Sequence, residues 1–511
     1  MTDYFAVDSI AHHARSVPDK LAVRELPSGR NHTYAEMNER IDRLAGHLNS
    51  LDVKPGDRVG FYALNTIDIL DIVFAGWRVG AVVLALNFRL SVGELKYIIE
   101  DAGPVAIFVD QELDETADKL KSITNVRHWI STDCAGGDSA FEQIIASSEP
   151  LVEHHEGKLG DTCMLMYSSG TTGRPKGVMI THAMLQFSAA AGASAVRATK
   201  DCVSLASMPL FHIAAMNVSC LPTLFIGGTV IVARAFEPAL VLDTVNNEAF
   251  GVTHFFAVPA AFNAMRQHEK ADKTDYSRLI SATSGAETVP PPLVQWWVDH
   301  GVCLQEGYGL TETAGQGCLL SHEDVGHKLG SAGKFLIHSR MKIMKDRETE
   351  AAPGETGEIW MRGNVITPGY WNRPEANEDA FVGEWFRTGD IGKCDEDGFV
   401  YIEDRLKDMY ISGGENVYPA EIEGVLYGMD AIREVSVIGI PHDTWGETGC
   451  AIVAPKDGVE ITLESIVAHC EGQLAKFKQP TKLIMIDALP RNATGKVLKY
   501  QLREKFSKAD A

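Results

Sequence analysis

The sequence contains no Cys-x-x-Cys pair, and its nine cysteines are scattered along the chain. An odd number of dispersed thiols suits a reducing compartment better than a disulfide scaffold or a zinc site. Basic residues are in deficit: 47 Lys and Arg stand against 69 Asp and Glu, a formal net charge of −22. Nucleic acid and anionic membrane surfaces are thus disfavoured as main partners. There is also no unbroken apolar run fit to span a bilayer. The one uncharged candidate, residues 213–233, is divided by Asn217, Pro222 and Gly227-Gly228, and reads instead as a helix, a turn and a buried strand "TVIVA", so no stable membrane insertion is expected. The start, "MTDYFAVDSIAHHARSV", has early acidic residues and no apolar leader core, and the end, "KFSKADA", is neither a peroxisomal nor a prenylation signal; the expected compartment is the cytoplasm. The pairs His12-His13 and His154-His155 lack the surroundings of metal ligands.

What is present is an ordinary globular composition, 45% hydrophobic and 23% charged, over 511 residues, enough for more than one domain. Strand-like runs at 57–64, 105–110, 162–167, 202–208, 253–259 and 277–285 alternate with helical stretches such as 181–196 and 238–250. Apolar strands alternating with helices predict an α/β fold with parallel-rich sheets covered on both faces. After about residue 404 the pattern changes to strands at 434–441, 448–455 and 482–490 around one helix at 463–477. The expected organisation is a large N-terminal domain, residues 1–404, and a small α+β domain, residues 405–511.

The chemistry starts from "MYSSGTTGRPKGV", residues 166–178. Glycines let successive backbone N–H groups converge on one anion; Ser168, Ser169, Thr171 and Thr172 add hydroxyl donors and Lys176 adds charge. The stretch follows a predicted strand and precedes the helix near Thr181, a setting suited to phosphate. It is not a Walker loop, because Pro175 stands where the second glycine belongs and Gly177 follows Lys176.

"YSSGTTGRPKGV" resembles the signature loop of the adenylate-forming superfamily, which includes the acyl-CoA synthetases (AMP-dependent synthetases and ligases). Five further segments are similar to that family's motifs in the expected order: "MPLFHIAA" (208–215), "TSGAE" (283–287) with "QEGYGLTET" (305–313), "WFRTGD" (385–390), "YIEDRLKDMYISGGENVYPAEIE" (401–423) and "PRNATGKVLK" (490–499). The resemblance spans about residues 10 to 505.

It implies a set of roles. Ser168, Ser169, Gly170, Thr171, Thr172, Gly173 and Lys176 would hold the phosphates of ATP. Gly285, Ala286 and Glu287 would line one side of adenine, and Tyr308, between Gly307 and Gly309 and close to Thr311, would stack on the other. Asp390 would accept hydrogen bonds from both ribose hydroxyls, with Arg405 reaching ribose or phosphate. Glu312, with Thr171, would bind Mg²⁺, which asks for few protein ligands. Lys496 would bridge the attacking carboxylate and the α-phosphate. His212, Met216 and Gly309 would shape the acyl pocket, with His212 as its gate. Gly413, Gly414 and Glu415 would lie on the CoA side, and Asp404 would be the hinge between the domains.

The implied reaction needs no protein nucleophile. A substrate carboxylate attacks the α-phosphorus of ATP, pyrophosphate leaves, and the acyl adenylate passes its acyl group to CoA. The partners are thus a carboxylic acid, ATP, CoA and Mg²⁺. An amino-acid substrate is disfavoured because the segment 211–214 offers Phe-His-Ile-Ala and no aspartate. The apolar pocket segments suggest a medium-chain aliphatic or an aryl acid, without deciding between them. Loading of a carrier-protein thiol, and a non-catalytic adenylate-binding homologue, are the alternatives. The sequence leaves the oligomeric state open, a homodimer included.

Overall fold

The computed structural model describes residues 4–26, 28–132, 139–168, 175–287, 289–405, 408–412, 415–442, 445–471, 473–491 and 497–506, without the side chains of 404, 405, 415 and 416. Two sheets dominate the first 335 residues. A six-stranded sheet runs in the order His128–Thr132, Pro104–Asp110, Arg58–Tyr62, Val82–Ala85, Thr162–Ser168, Lys176–Thr181, parallel except for its last pair. A nine-stranded sheet has a parallel centre in the order Leu304–Tyr308, Ser281–Ser284, His254–Ala257, Val203–Ala206, Thr229–Val232, Leu21–Glu25. These strands are buried on both faces because helices cover them. Helix Tyr34–Ser50 starts at a capping box in which the Thr33 hydroxyl accepts from the Glu36 N–H and the Glu36 carboxylate accepts from the Thr33 N–H.

The region between the parallel sheets and the C-terminal part was not foreseen as a separate layer. It is a five-stranded antiparallel sheet built from Ser339–Met344, Gly357–Gly363, Phe381–Val382, Trp385–Cys394 and Val400–Arg405. A fourth sheet, with Ile432–His442 and Gly446–Pro455 at its centre, packs against helices Pro419–Leu426, Leu463–Cys470 and Lys499–Phe506 around its own apolar core. Strand membership changes between Arg405, still paired with Asp390 in the antiparallel sheet, and Tyr410, which begins the next sheet.

Two local expectations need correction. The helix predicted over 463–477 ends at Cys470; the Gly472 that follows is a poor helix residue and a frequent terminator. The strand predicted over 277–285 covers only Ser281–Ser284, after a turn. The uncharged run 213–233 resolves into a wide helical turn Ala215–Cys220, helix Leu221–Phe225 and strand Thr229–Val232. Among the described residues, no helix is long and apolar enough to cross a membrane.

Candidate active site

The two segments expected to line adenine meet where two neighbouring parallel strands end. Ser281–Ser284 and Leu304–Tyr308 pair with Ser284 opposite Glu306, and carboxyl ends of parallel strands are where such sheets open to ligands. Gly285 follows at once; a Cβ there would stand 2.5 Å from the Gly307 carbonyl oxygen, so only glycine allows the two chains to close. Ala286 adopts a left-handed φ of 72°, which turns the backbone at the site. Tyr308 donates its hydroxyl to the Asp390 carboxylate at 2.8 Å. The two residues assigned to adenine and ribose thus meet, although they come from different sheets. Burial and the Asp390 charge hold the Tyr308 phenol well above its usual range, so it remains a donor.

Glu306 carries a signal that motif reading passed over. It is 5% exposed, its Oε1 accepts the Val289 N–H at 3.3 Å, and its Oε2 has no hydrogen-bond partner. Burial pushes its carboxyl up to about 7. A glutamate in the middle of a buried strand, in "LQEGY", was the available clue, since such a group is retained only where something satisfies it. The exocyclic amine of adenine is a donor of the right kind.

The phosphate side corrects the expected setting of the Gly-rich loop. Ser168 and Lys176 are opposite one another at the turn end of an antiparallel hairpin. Ser169, Gly170, Thr171, Thr172 and Gly173 belong to the connection and lie outside the described residues. The loop therefore leads into a six-residue strand, Lys176–Thr181, before helix His182–Ala195 begins. That strand separates loop from helix by about 20 Å, too far for the helix dipole to act on the loop. Charge here comes from Lys176, whose Nζ sits 5.0 Å over the Tyr370 ring. Tyr370 in turn donates its hydroxyl to Glu312 Oε1 at 2.9 Å, and the Thr367 N–H donates to the Glu312 carbonyl at 2.8 Å. Tyr370 had no motif to announce it; only the fold brings it between Lys176 and Glu312.

Glu312 offers hard carboxylate oxygen at the wall of the cavity, beside Thr311. Among the described residues there is no cluster of three or more His, Cys, Asp or Glu able to cage a metal. This donor set fits Mg²⁺, which takes one or two carboxylates and completes its shell with water and phosphate oxygens. Bound there by Glu312, with Thr171 as second candidate, the ion would neutralise phosphate charge.

From this end a cavity of about 400 Å³ runs inward past Tyr308, Gly309 and His212 to Cys202 and Ile226. His212 lines it, and its Nδ1 accepts the Ala214 N–H at 3.3 Å. Gly309 lines it too, and must be glycine because a Cβ there would stand 2.4 Å from the Gly315 carbonyl oxygen. Met216 does not: it is 0% exposed and packs into the main core, and the wall at this point is Ile213, Ala214 and Val218. Within the wide helical turn 215–220, Met216 points away from the cavity.

A second cavity, of about 580 Å³, lies between the N-terminal sheets and the C-terminal part, with Gly307, Ala286 and Glu287 on one side and Arg491 and Val497 on the other. The Val497 N–H donates to Glu287 Oε1 at 3.0 Å, and Arg491 stands 3.6 Å from the same carboxylate and 2.8 Å from Glu434. The chain just after Lys496 is therefore docked on the adenine-side segment. Lys496, Gly413 and Gly414 lie outside the described residues. Asp404 and Arg405 are placed by backbone only, opposite Ile391 and Asp390, and Glu415 opposite Ser412.

Comparison with known proteins identifies the family. The family model "AMP-binding enzyme" matches residues 10–371, and "AMP-binding enzyme C-terminal domain" matches residues 421–496. Feruloyl-CoA synthase of Amycolatopsis sp is 38% identical over 493 residues, 96% of this chain and 97% of that protein. A long-chain-fatty-acid–CoA ligase of Mycobacterium tuberculosis is 37% identical over 477 residues, 93% of each. The structure of o-succinylbenzoate CoA synthetase from Bacillus subtilis with its acyl-adenylate intermediate superposes with a TM-score of 0.88 at 30% identity, covering 100% of this chain and 99% of that one. With a model match over most of its length and relatives above 30% identity end to end, the chain belongs to the AMP-binding enzymes, within the adenylate-forming superfamily of acyl-CoA synthetases.

Proposed function

We propose that this acyl-CoA ligase activates a monocarboxylic acid with an uncharged, ring- or chain-shaped body, through an acyl adenylate, and transfers the acyl group to CoA. The observation that carries the choice of acid is the inner cavity. Beyond Gly309 its described lining is mostly apolar or neutral polar, Ala193, Val218, Pro222, Ile226 and Phe256 among it, and Lys176, at the phosphate end, is the one lysine or arginine among the described residues that line it. A second carboxylate carried deep into this cavity would be buried without a counter-charge, at a cost of several kcal/mol. A dicarboxylic acid, such as the 2-succinylbenzoate for which some relatives are named, is therefore disfavoured, and acids of the kind named for other relatives, feruloyl and long-chain fatty acyl, are favoured.

The chain's residues work by placement and charge. Tyr308, Asp390 and Glu306 orient the nucleoside, while Lys176 sets positive charge beside the phosphates. Tyr370 holds the Glu312 carboxylate toward the cavity. We assign Lys496 to the meeting point of two anions, the substrate carboxylate and the α-phosphate. A carboxylate oxygen forms the new bond to the α-phosphorus as the bond to pyrophosphate breaks; the CoA sulfur then attacks the acyl carbonyl and AMP leaves with the bonding pair. Catalysis of such a displacement is positioning and charge stabilisation. The test is pyrophosphate release over a panel of mono- and dicarboxylic acids, with and without CoA. AMP and pyrophosphate with neutral-bodied monoacids, and thioester only with CoA, are the expected products. ADP and orthophosphate would overturn the reading, and a preference for dicarboxylic acids would overturn the substrate class.

A further inference from the structure

The acyl cavity has two unlike sides. Helices supply an apolar roof that includes Gly192, Ala193, Val218 and Pro222. The floor is a face of the nine-stranded sheet, crossed from Ser281–Ser284 through His254–Ala257 to Val203–Ala206 in steps of about 4.8 Å. In that floor Thr283 is opposite Phe256, and Ser204 is opposite His254. All four line the cavity.

His254 has nothing left to offer a ligand. Its Nε2 lies 3.0 Å from the Val196 carbonyl, which can only accept, so Nε2 carries the proton; Nδ1 is taken up by Thr253 Oγ1 at 2.8 Å and Cys202 Sγ at 3.2 Å. Burial lowers its pKa, so the ring adds no charge. Ser204 and Thr283 differ. They are 3% and 7% exposed, and among the described residues neither hydroxyl has a hydrogen-bond partner. Gln316 adds a third polar group to the wall: its Nε2 donates to the Asn217 carbonyl at 3.2 Å, which fixes the amide orientation, and its Oε1 has no partner. Gly192 makes room for that amide, since a Cβ there would stand 2.6 Å from it. A cavity meant for a plain hydrocarbon has no use for buried hydroxyls, each of which costs free energy while unpaired.

We propose that the acyl substrate carries a neutral hydroxyl, phenolic or alcoholic, held over the sheet floor by one of two hydroxyls, that of Ser204 or that of Thr283, which two strand steps and two residues of register set about 12 Å apart. This rests on the acyl-activating function above and deepens its substrate class. A hydroxyl fits because Ser and Thr can both donate and accept, and a charged substituent is disfavoured because, among the described residues, no lysine or arginine lines the deep part of the cavity.

The experiment measures pyrophosphate release without CoA, for cinnamic acid against its 2-, 3- and 4-hydroxy isomers and for octanoic against 8-hydroxyoctanoic acid. Wild type, Ser204→Ala and Thr283→Val are compared. In wild type, kcat/KM for at least one hydroxylated acid should exceed that of its parent by about tenfold or more. For a given hydroxylated acid the ratio should fall toward one in one of the two variants, through a higher KM for that acid, and hold in the other. Turnover of the parent acid reports that each variant is folded. A wild-type ratio near one for every pair, or a ratio that neither variant moves, overturns the proposal while leaving the ligase function standing. No pyrophosphate with any acid would overturn both.

Discussion

Two buried polar regions of the large N-terminal part are built on opposite plans. Around Arg30 and Arg40, the carboxylates of Glu25, Asp68, Asp71 and Glu142 each lie within 3.0 Å of a guanidinium nitrogen. The cluster ties strand Leu21–Glu25 and helices Tyr34–Ser50, Asp68–Arg78 and Ala140–Ser147 together, and its acids are already answered from within the protein. Around the nucleotide and acyl sites, by contrast, Glu306 Oε2, Ser284 Oγ and Gln316 Oε1 are buried without partners. A closed network stabilises the fold or constrains it, whereas an open one keeps a cost that a ligand can relieve.

The sharpest way to break this comparison is to open the closed network. Arg40→Ala leaves the buried Asp71 without its 2.9 Å partner and should cost about 3–5 kcal/mol of stability, read by urea denaturation. A change under about 0.5 kcal/mol would mean that the pairing is not structural.

Next in size is a change confined to chemistry. Lys496→Ala should lower adenylation by on the order of 10²–10³-fold, about 3–4 kcal/mol, while stability stays within about 0.5 kcal/mol and thioester formation from a presynthesised acyl adenylate is largely kept. Equal loss in both half-reactions would contradict the assigned role.

The open region should also show itself in pH dependence. The Glu306 carboxyl stands at about 7 in the folded protein, against an ordinary 4.5. The folded state therefore holds a proton that the unfolded state has released between these values. The resulting stability is complete below about 4.5 and is lost as pH rises through about 7, by on the order of 3 kcal/mol. Asp68, raised by burial to about 6, contributes a slope of the same sign, so the difference between wild type and Glu306→Gln isolates Glu306. Denaturation from pH 4.5 to 8 should give a flatter profile in the variant; identical slopes would remove Glu306 from the open set.

The smallest effect concerns one hydrogen bond. Tyr308→Phe deletes the 2.8 Å contact with Asp390 and keeps the ring, so KM for ATP should rise by about tenfold or less, with kcat little changed. A large fall in kcat with KM unmoved would place Tyr308 in the chemical step.

These contrasts separate what was readable in the chain from what was not. Runs such as 105–110 and 162–167 appear as strands, and 181–196 as a helix, because apolar periodicity and local capping are written in neighbouring residues. The Gly-rich loop was legible as an anion site for the same reason, yet its place at a hairpin tip was not, because strand direction is set by pairing with distant segments. Met216 was assigned to the acyl pocket by its neighbourhood in sequence and turned away by a wide helical turn.

By itself the sequence determined the alternation of strands and helices, the family signatures and the residue types needed for adenylation, all of which depend on short-range order. Only the tertiary structure decided that Lys176, Tyr370 and Glu312 form one chain of contacts, that Val497 reaches Glu287, and that Ser204 and Thr283 share the floor of one cavity. Those meetings follow from sheet order and register. They are fixed by burying whole apolar faces together, and no local stretch of the chain encodes them.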